Sequence, residues 1–184
     1  MTITPTPLAG CFILTPRVFN DERGHFFESF NQRSFAEAVD SNVIFVQDNQ
    51  SFSTKGVLRG LHLQKGEHAQ SKLVRVTQGE VQDVAIDLRK SSPTYGQYVS
   101  VILSAQNHQQ LFIPKGFGHG FLVLSPSAIF QYKCDNYYNK ESEGGLHYAD
   151  PSIDIKWELG ESELVVSEKD KELPFLKDAS DFGF

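Results

Sequence analysis

The sequence predicts an all-β chain, closed into a barrel-like or double-sheet fold, with only short helical pieces. Three observations predict it. Short apolar or alternating segments recur through the middle of the chain, at Lys72 to Thr77, Val81 to Leu88, Tyr98 to Leu103, Gln110 to Ile113, Gly120 to Leu124 and Ala128 to Cys134. Turn signals separate them, among them Gln78-Gly79-Glu80, Ser104-Ala105-Gln106-Asn107, Pro114-Lys115-Gly116 and Ser125-Pro126-Ser127. The intervals are too short for helical crossovers, which argues against a parallel α/β arrangement.

Taken in order, Cys11 to Leu14 reads as a short apolar strand closed by Thr15-Pro16, and Arg23 to Phe30 alternates polar and aromatic residues in the manner of another. Asn31 to Val39 is the best helix candidate, with Asn31 or Ser34 as cap and Phe35 and Val39 four apart on one face. Amide and hydroxyl groups crowd Phe45 to Ser51, and turn chemistry is the expectation there. Val81, Asp83, Ala85 and Asp87 alternate with Gln82, Val84, Ile86 and Leu88, so this run and Lys72 to Thr77 are expected to form a hairpin through Gly79. Beyond Cys134 the pattern loosens. Gly144-Gly145 is expected to be flexible, Ile153 to Trp157 to add one short strand, and the whole C-terminal third to form a long ordered loop that covers something. Ser167-Glu168-Lys169-Asp170, taken alone, is a solvated turn.

Length and composition exclude more than they specify. The 184 residues suffice for one substantial core, and the expectation is a single domain spanning residues 1–184. A net charge of -6 argues against holding a nucleic acid polymer or an anionic membrane through a general basic field, while leaving room for a small anionic ligand. Cys11 and Cys134 are too few and too far apart for a disulfide framework or a metal cluster. Met1 to Pro7 lacks the regions of a signal peptide and no apolar run has the length of a membrane helix, so the expected location is the cytoplasm.

The stretch Leu58-Arg59-Gly60-Leu61-His62-Leu63-Gln64 sets a cation and an imidazole close together on a predicted strand. Strict alternation puts Arg59 and His62 on opposite faces. Gly60 between them relaxes that conclusion, since a glycine inside a strand often marks a bulge that re-aims its neighbours. Two readings stand at this point: a core histidine beside a surface arginine, or two groups sharing one pocket.

Phe112 to His119 contains a Pro-x-Gly-x-x-His pattern that resembles the second motif of the cupins, a double-sheet jelly-roll family. A metal-binding cupin also carries a His-x-His pair with a nearby glutamate, because a divalent ion needs several converging ligands. The pair is absent here: Leu61 and Leu63 flank His62, and Gln64 stands two residues on. No metal site is expected.

Five motifs in order, Arg23-Gly24-x-Phe26-x-Glu28, Gln47-Asp48-Asn49-x-Ser51, Arg59-Gly60-Leu61-His62-x-Gln64, Asp87-Leu88-Arg89 and Pro114-x-Gly116-Phe117-x-His119-Gly120-Phe121, resemble the dTDP-4-dehydrorhamnose 3,5-epimerase family. The resemblance spans almost the whole chain. It implies a cupin-like double-sheet jelly roll with short peripheral helices, no metal or organic cofactor, a homodimer, and a dTDP-4-keto-6-deoxyhexose substrate in the supply of activated L-rhamnose. Leu63 departs from the family, where many members carry an aromatic residue.

The resemblance also implies roles. His62 matches the base that takes a proton next to the sugar ketone, Asp170 the carboxylate that orients it, Tyr132 the acid on the opposite face, and Lys72 the cation at the ketone oxygen. Arg59 and Arg23 match the cations at the diphosphate, and His119 a donor near sugar or phosphate. Gln47, Asp48, Asn49, Glu28, Glu143 and Lys169 match polar substrate contacts, and Tyr138 the ring that stacks on thymine. Arg23 and Glu28 belong, in the family, to a strand exchanged between subunits. The alternatives on residues alone are a 3-epimerase or 3,4-ketoisomerase on a related sugar nucleotide, and a non-catalytic cupin that binds one. A base, an orienting carboxylate and an opposed acid disfavour the last, since binding alone needs none of them.

Overall fold

Alternation along the chain resolves into two stacked sheets. The computed structural model of the chain describes residues 1–179 and 181–184. In chain order it contains β1 (Thr2–Pro5), β2 (Phe12–Thr15), β3 (Phe19–Asp21), β4 (Gly24–Phe26), α1 (Gln32–Ala38), β5 (Gln47–Thr54), β6 (Val57–Gln64) and β7 (Lys72–Gln78). It continues with β8 (Glu80–Asp87), β9 (Tyr98–Ser104), β10 (Gln110–Ile113), β11 (Phe117–Val123), β12 (Ser127–Cys134), β13 (Glu143–Gly145), β14 (Val165–Val166) and α2 (Glu168–Lys171). One sheet has the order β1-β2-β10-β7-β12-β5 and the other β13-β6-β11-β8-β9, while β14 adds to β6 in parallel. β3 and β4 pair only with each other, in a hairpin off both sheets with Phe19 and Phe26 exposed.

The alternating pattern of β8 explains the layers. Val81 and Ala85 point between the sheets and meet Phe117, Phe121, Val123 and Phe130 in the central core. Val84, Ile86 and Leu88 point the other way, into a second apolar cluster closed by Leu146, Ile153, Ile155 and Phe182. The C-terminal third is therefore the cover that the sequence predicts. The far face of the first sheet is covered by α1, whose Phe35 is fully buried on Leu14, Leu73 and Phe112. Burying such a ring contributes roughly 1.5–3 kcal/mol. Asn31 caps α1, its side chain accepting from the Arg33 and Ser34 amides.

Four expectations need correction. β7 and β8 are not a hairpin: they lie in different sheets, and Gly79 (φ +78°) turns the corner between them, with its Cα facing the Ser127 carbonyl too closely for a side chain. Phe45 to Ser51 is not a turn, because from Gln47 onward the chain runs as β5 against β12, with Asn49 opposite Tyr132. Ile153 to Trp157 is not a strand. Side chains meet its polar backbone instead: Gln82 donates to the Lys156 carbonyl and accepts from the Glu158 amide, both at 2.8 Å, and the Tyr98 hydroxyl accepts from the Lys156 amide at 3.2 Å. Gly144-Gly145 is ordered into β13, and places Gly145 opposite His62. Among the described residues, no helix is long and apolar enough to cross a membrane.

Candidate active site

The site begins with an irregularity in β6. Its ladder with β11 pairs His62 with His119 but Arg59 with Phe121, so three steps on β6 match two on β11. One extra residue is accommodated at Gly60, and the alternation of the strand is reset there. Arg59 and His62 consequently share the face that looks toward the first sheet, where their partners Phe121 and His119 also lie. Leu61 and Leu63 point into the cluster on the opposite face. Of the two readings of this heptapeptide, the geometry selects the shared pocket. Gly60 has φ +124°, and a Cβ there would meet Gly120 Cα at 2.5 Å and the His119 carbonyl at 2.7 Å.

His62 Nε2 lies 2.7 Å from Asp170 Oδ1, and the Gly60 amide donates to Asp170 Oδ2 at 3.2 Å. Asp170 itself is buried, held by α2, where the Ser167 side chain caps the helix by accepting from the Asp170 amide at 3.2 Å. Burial opposes ionisation of Asp170, but the hydrogen bonds from His62, Gly60 and Ser167 hold its carboxyl below the usual carboxylate range. The segment that resembles a solvated turn is thus a short helix that delivers a buried anion to the imidazole.

The opposite wall comes from the first sheet. Lys72 on β7 and Tyr132 on β12 face the same cavity as His62, with the Lys72 ammonium 5.9 Å from the centre of the Tyr132 ring. Burial pushes the Lys72 ammonium below the ordinary lysine value, against the opposing fields of Cys134 and Asp83. Burial raises Tyr132, with Cys134 adding to the rise and Arg59 opposing it, so its hydroxyl stays protonated. Gln47 and Asn49 line the cavity from β5, Gln47 Nε2 donating to Asn49 Oδ1 at 3.1 Å. Across the mouth, the Tyr138 hydroxyl donates to Glu143 Oε1 at 2.9 Å, and Lys169 Nζ sits 2.5 Å from Glu143 Oε2. The cavity is an open-mouthed cleft of about 590 Å³, within the roughly 300–1,000 Å³ usual for small-molecule sites.

Most of the predicted residues meet here: His62, Asp170, Lys72, Tyr132, Gln47, Asn49, Tyr138, Glu143 and Lys169. Arg59 is exposed on the same sheet face, its Nε donating to Ser53 Oγ at 3.2 Å. Asp48 is not brought to the cavity. It follows Gln47 on a regular strand, so it points from the other face, where it pairs with Lys133 at 2.9 Å beside a separate groove. Arg23 and Glu28 also lie away from the cavity of their own chain, Arg23 paired with Asp21 in the exposed β3–β4 hairpin and Glu28 accepting from Asn31. His119 is buried behind His62 and bonded to Asp83 rather than exposed as a donor. Sequence reading missed Asp83, and the signal was present: it is a carboxylate on the otherwise apolar face of Val81 and Ala85. Gln64, which ends the Arg59–Gln64 motif, is buried and accepts from the Asn139 amide at 2.9 Å, tying the loop before β13 to β6. Among the described residues, no three His, Cys, Asp or Glu side chains converge as a metal site.

The family model described as dTDP-4-dehydrorhamnose 3,5-epimerase matches residues 5–178. The chain belongs to the dTDP-4-dehydrorhamnose 3,5-epimerase family. A dTDP-4-dehydrorhamnose 3,5-epimerase of Salmonella typhimurium is 52% identical to it over 179 residues, covering 97% of each chain. The solved structure of dTDP-4-dehydrorhamnose 3,5-epimerase from Elizabethkingia anophelis NUHP1 superposes with a TM-score of 0.94 at 52% identity, again over 97% of both chains. The dTDP-6-deoxy-D-glucose-3,5-epimerase of Legionella pneumophila Philadelphia 1, solved in complex with dTDP-4-keto-L-rhamnose, is 49% identical with a TM-score of 0.93, over 97% of this chain and 94% of that one. The two-sheet architecture is the cupin-like fold of the 3,5-epimerase family.

Proposed function

We propose that this chain, acting as one domain, is an isomerase that inverts C3 and C5 of dTDP-4-dehydro-6-deoxy-D-glucose to give dTDP-4-dehydro-L-rhamnose in dTDP-L-rhamnose biosynthesis. The observation that carries the reading is the His62–Asp170 pair set across one cavity from Tyr132 and Lys72. Both inverted carbons flank the C4 ketone, so removal of either proton gives an enolate. Asp170 engages His62 Nε2, which leaves Nδ1 to take the proton. Lys72 offers fixed positive charge where the enolate oxygen develops. Tyr132, held protonated by burial, returns a proton from the opposite face. In this reading Arg59 holds the diphosphate, Gln47, Asn49, Glu143 and Lys169 take polar atoms of the substrate, and Tyr138 stacks on thymine.

The enzyme works in the cytoplasm as a homodimer. Arg23 and Glu28, remote from the cavity of their own chain, enter that of a second copy. Support comes from Phe19 and Phe26 of the β3–β4 hairpin, large apolar rings that remain exposed.

Proton NMR of the protein with dTDP-4-dehydro-6-deoxy-D-glucose in heavy water tests the reading. Deuterium is expected at both C3 and C5; label at C3 alone would make it a 3-epimerase, and a moved carbonyl a ketoisomerase. The same assay separates base from acid. His62→Ala should abolish exchange and inversion together. Tyr132→Phe should keep exchange, through an enolate reprotonated by His62 on the face it left, while losing inversion. Equal loss of exchange in both variants would remove Tyr132 from the acid's role.

A further inference from the structure

Beneath the base lies a charged group that the mechanism above does not use. Asp83 on β8 is fully buried, and both its oxygens contact one atom, His119 Nε2, at 3.0 and 3.2 Å. Among the described residues its side chain makes no other hydrogen bond. A carboxylate in that position is costly unless a neighbouring cation balances it. Two neighbours are available. One is His119, which is paired across the ladder with His62 and stacked on Phe130 at 5.9 Å. The other is Lys72, which faces His62 across the cavity from the first sheet and lies within the field of Asp83.

Charge counting decides between them. Around Lys72 stand Tyr132 and Cys134 on β12, Asn49 on β5, His62 on β6, His119 on β11 and Asp83 on β8. The other carboxylates at the cavity are already engaged, Asp170 by His62 and Glu143 by Lys169 and Tyr138, which leaves Asp83 to balance Lys72. With Lys72 charged and Asp83 ionised, the interior is balanced. A proton added to His119 would leave a net positive charge between the sheets, which desolvation opposes. Burial, with Lys72 and His62 adding to it, pushes the imidazole toward its neutral form, although Asp83 pulls the other way. A neutral His119 that contacts a carboxylate through Nε2 carries its proton there, because two acceptors do not bond. Its Nδ1 makes no hydrogen bond among the described residues and is not sealed from solvent.

We infer that Asp83 is a positioning residue of this site: it fixes His119 as the Nε2–H tautomer, presenting Nδ1 as an acceptor for a sugar hydroxyl, and supplies the counter-charge that keeps Lys72 protonated at the ketone. His119 is then an acceptor, and not the donor that the family resemblance implies. The inference rests on the epimerase reading, which it deepens.

The test has two readouts. Nitrogen-15 imidazole spectra of the wild-type protein should show His119 neutral, with Nε2 protonated, from about pH 5 to 8, the window in which an ordinary histidine loses its charge. An imidazolium, or a proton on Nδ1, would overturn the assignment without reference to activity. Asp83→Asn should lower kcat about 10- to 100-fold, the usual size for losing an orienting partner, while leaving dTDP affinity unchanged. Because Lys72 then loses the field that raises its pKa, the alkaline limb of the kcat profile should move to lower pH. A variant that binds dTDP normally and shows an unmoved profile would sink the counter-charge role. Should the variant fail to fold, the wild-type spectra still decide the tautomer. Failure of the underlying reading looks different: wild-type protein that places no deuterium at C3 and C5.

Discussion

Arg59 and His62, three residues apart on β6, project from the same face of their sheet because their ladder partners Phe121 and His119 are only two residues apart. The extra residue brings the cation proposed for the diphosphate and the base proposed for the sugar to one side. It does so without a loop. Both groups stay on a strand flanked by two others, and so inherit the rigidity of the sandwich.

Gly60→Ala should therefore damage function more than fold. The added Cβ would press on Gly120 Cα and the His119 carbonyl, both backbone, at a φ that residues with side chains rarely adopt. A displacement of about 1 Å at His62 is expected to lower kcat roughly a hundredfold. Steady-state kinetics beside a thermal melt would check it. Wild-type kcat in this variant would mean that the bulge tolerates a side chain and does not set the geometry.

Arg59→Ala should weaken dTDP as well as substrate. A charge-assisted bond to phosphate contributes about 1.5–3 kcal/mol, or roughly ten- to a hundredfold in affinity. Calorimetric titration with dTDP is the measurement, and unchanged affinity would place the diphosphate elsewhere.

Asp87 predicts an acid-labile increment of stability. It is fully buried, and although burial opposes its charge, Arg89, Ser92 and Thr94 hold its carboxyl at about 2. A folded pKa below the unfolded value of about 3.9 makes the stabilisation complete above pH 4 and drains it as pH falls toward 2. Asp87→Asn should cost about 2 kcal/mol at pH 7. Urea unfolding of the two proteins should differ at neutral pH and converge near the folded pKa. A difference that grows on acidification would contradict the sign.

Dialysis against a chelator should leave kcat/KM unchanged, since the His-x-His pair is missing and no third ligand converges on His62 among the described residues. Activity lost on dialysis and restored by one divalent ion would overturn this.

How legible these features are in the sequence depends on how local their causes are. The helix after Asn31 is legible because one side chain caps it and Phe35 supplies its buried face. The strands from Lys72 to Cys134 are legible from alternation, within a residue or two at most ends. Which sheet each strand joins is not: β7 and β8 read as a hairpin because a tight glycine corner between sheets has the same residues as a hairpin turn. β5 hides for another reason, since its more buried alternate residues, Gln47, Asn49, Ser51 and Ser53, are all polar and erase the apolar period, the first two lining the cavity. Asp170 is illegible locally, being surrounded by charged residues of a surface helix and buried only through contacts with β6. The family motifs supplied it where physics on the linear chain could not. They did not supply Asp48's orientation, which strand alternation alone decides.

The two halves of the dyad are separated by 108 positions in the chain. A ribosome making this protein delivers each strand of both sheets, β1 to β14, before it adds Asp170. The sandwich is thus able to form around a cavity that already holds His62, Lys72 and Tyr132 but lacks the group that orients the imidazole. Competence arrives late in synthesis, with the four-residue helix that docks Asp170 against β6. A nascent chain stalled just short of Ser167 would carry the base without its orienting carboxylate and be catalytically silent.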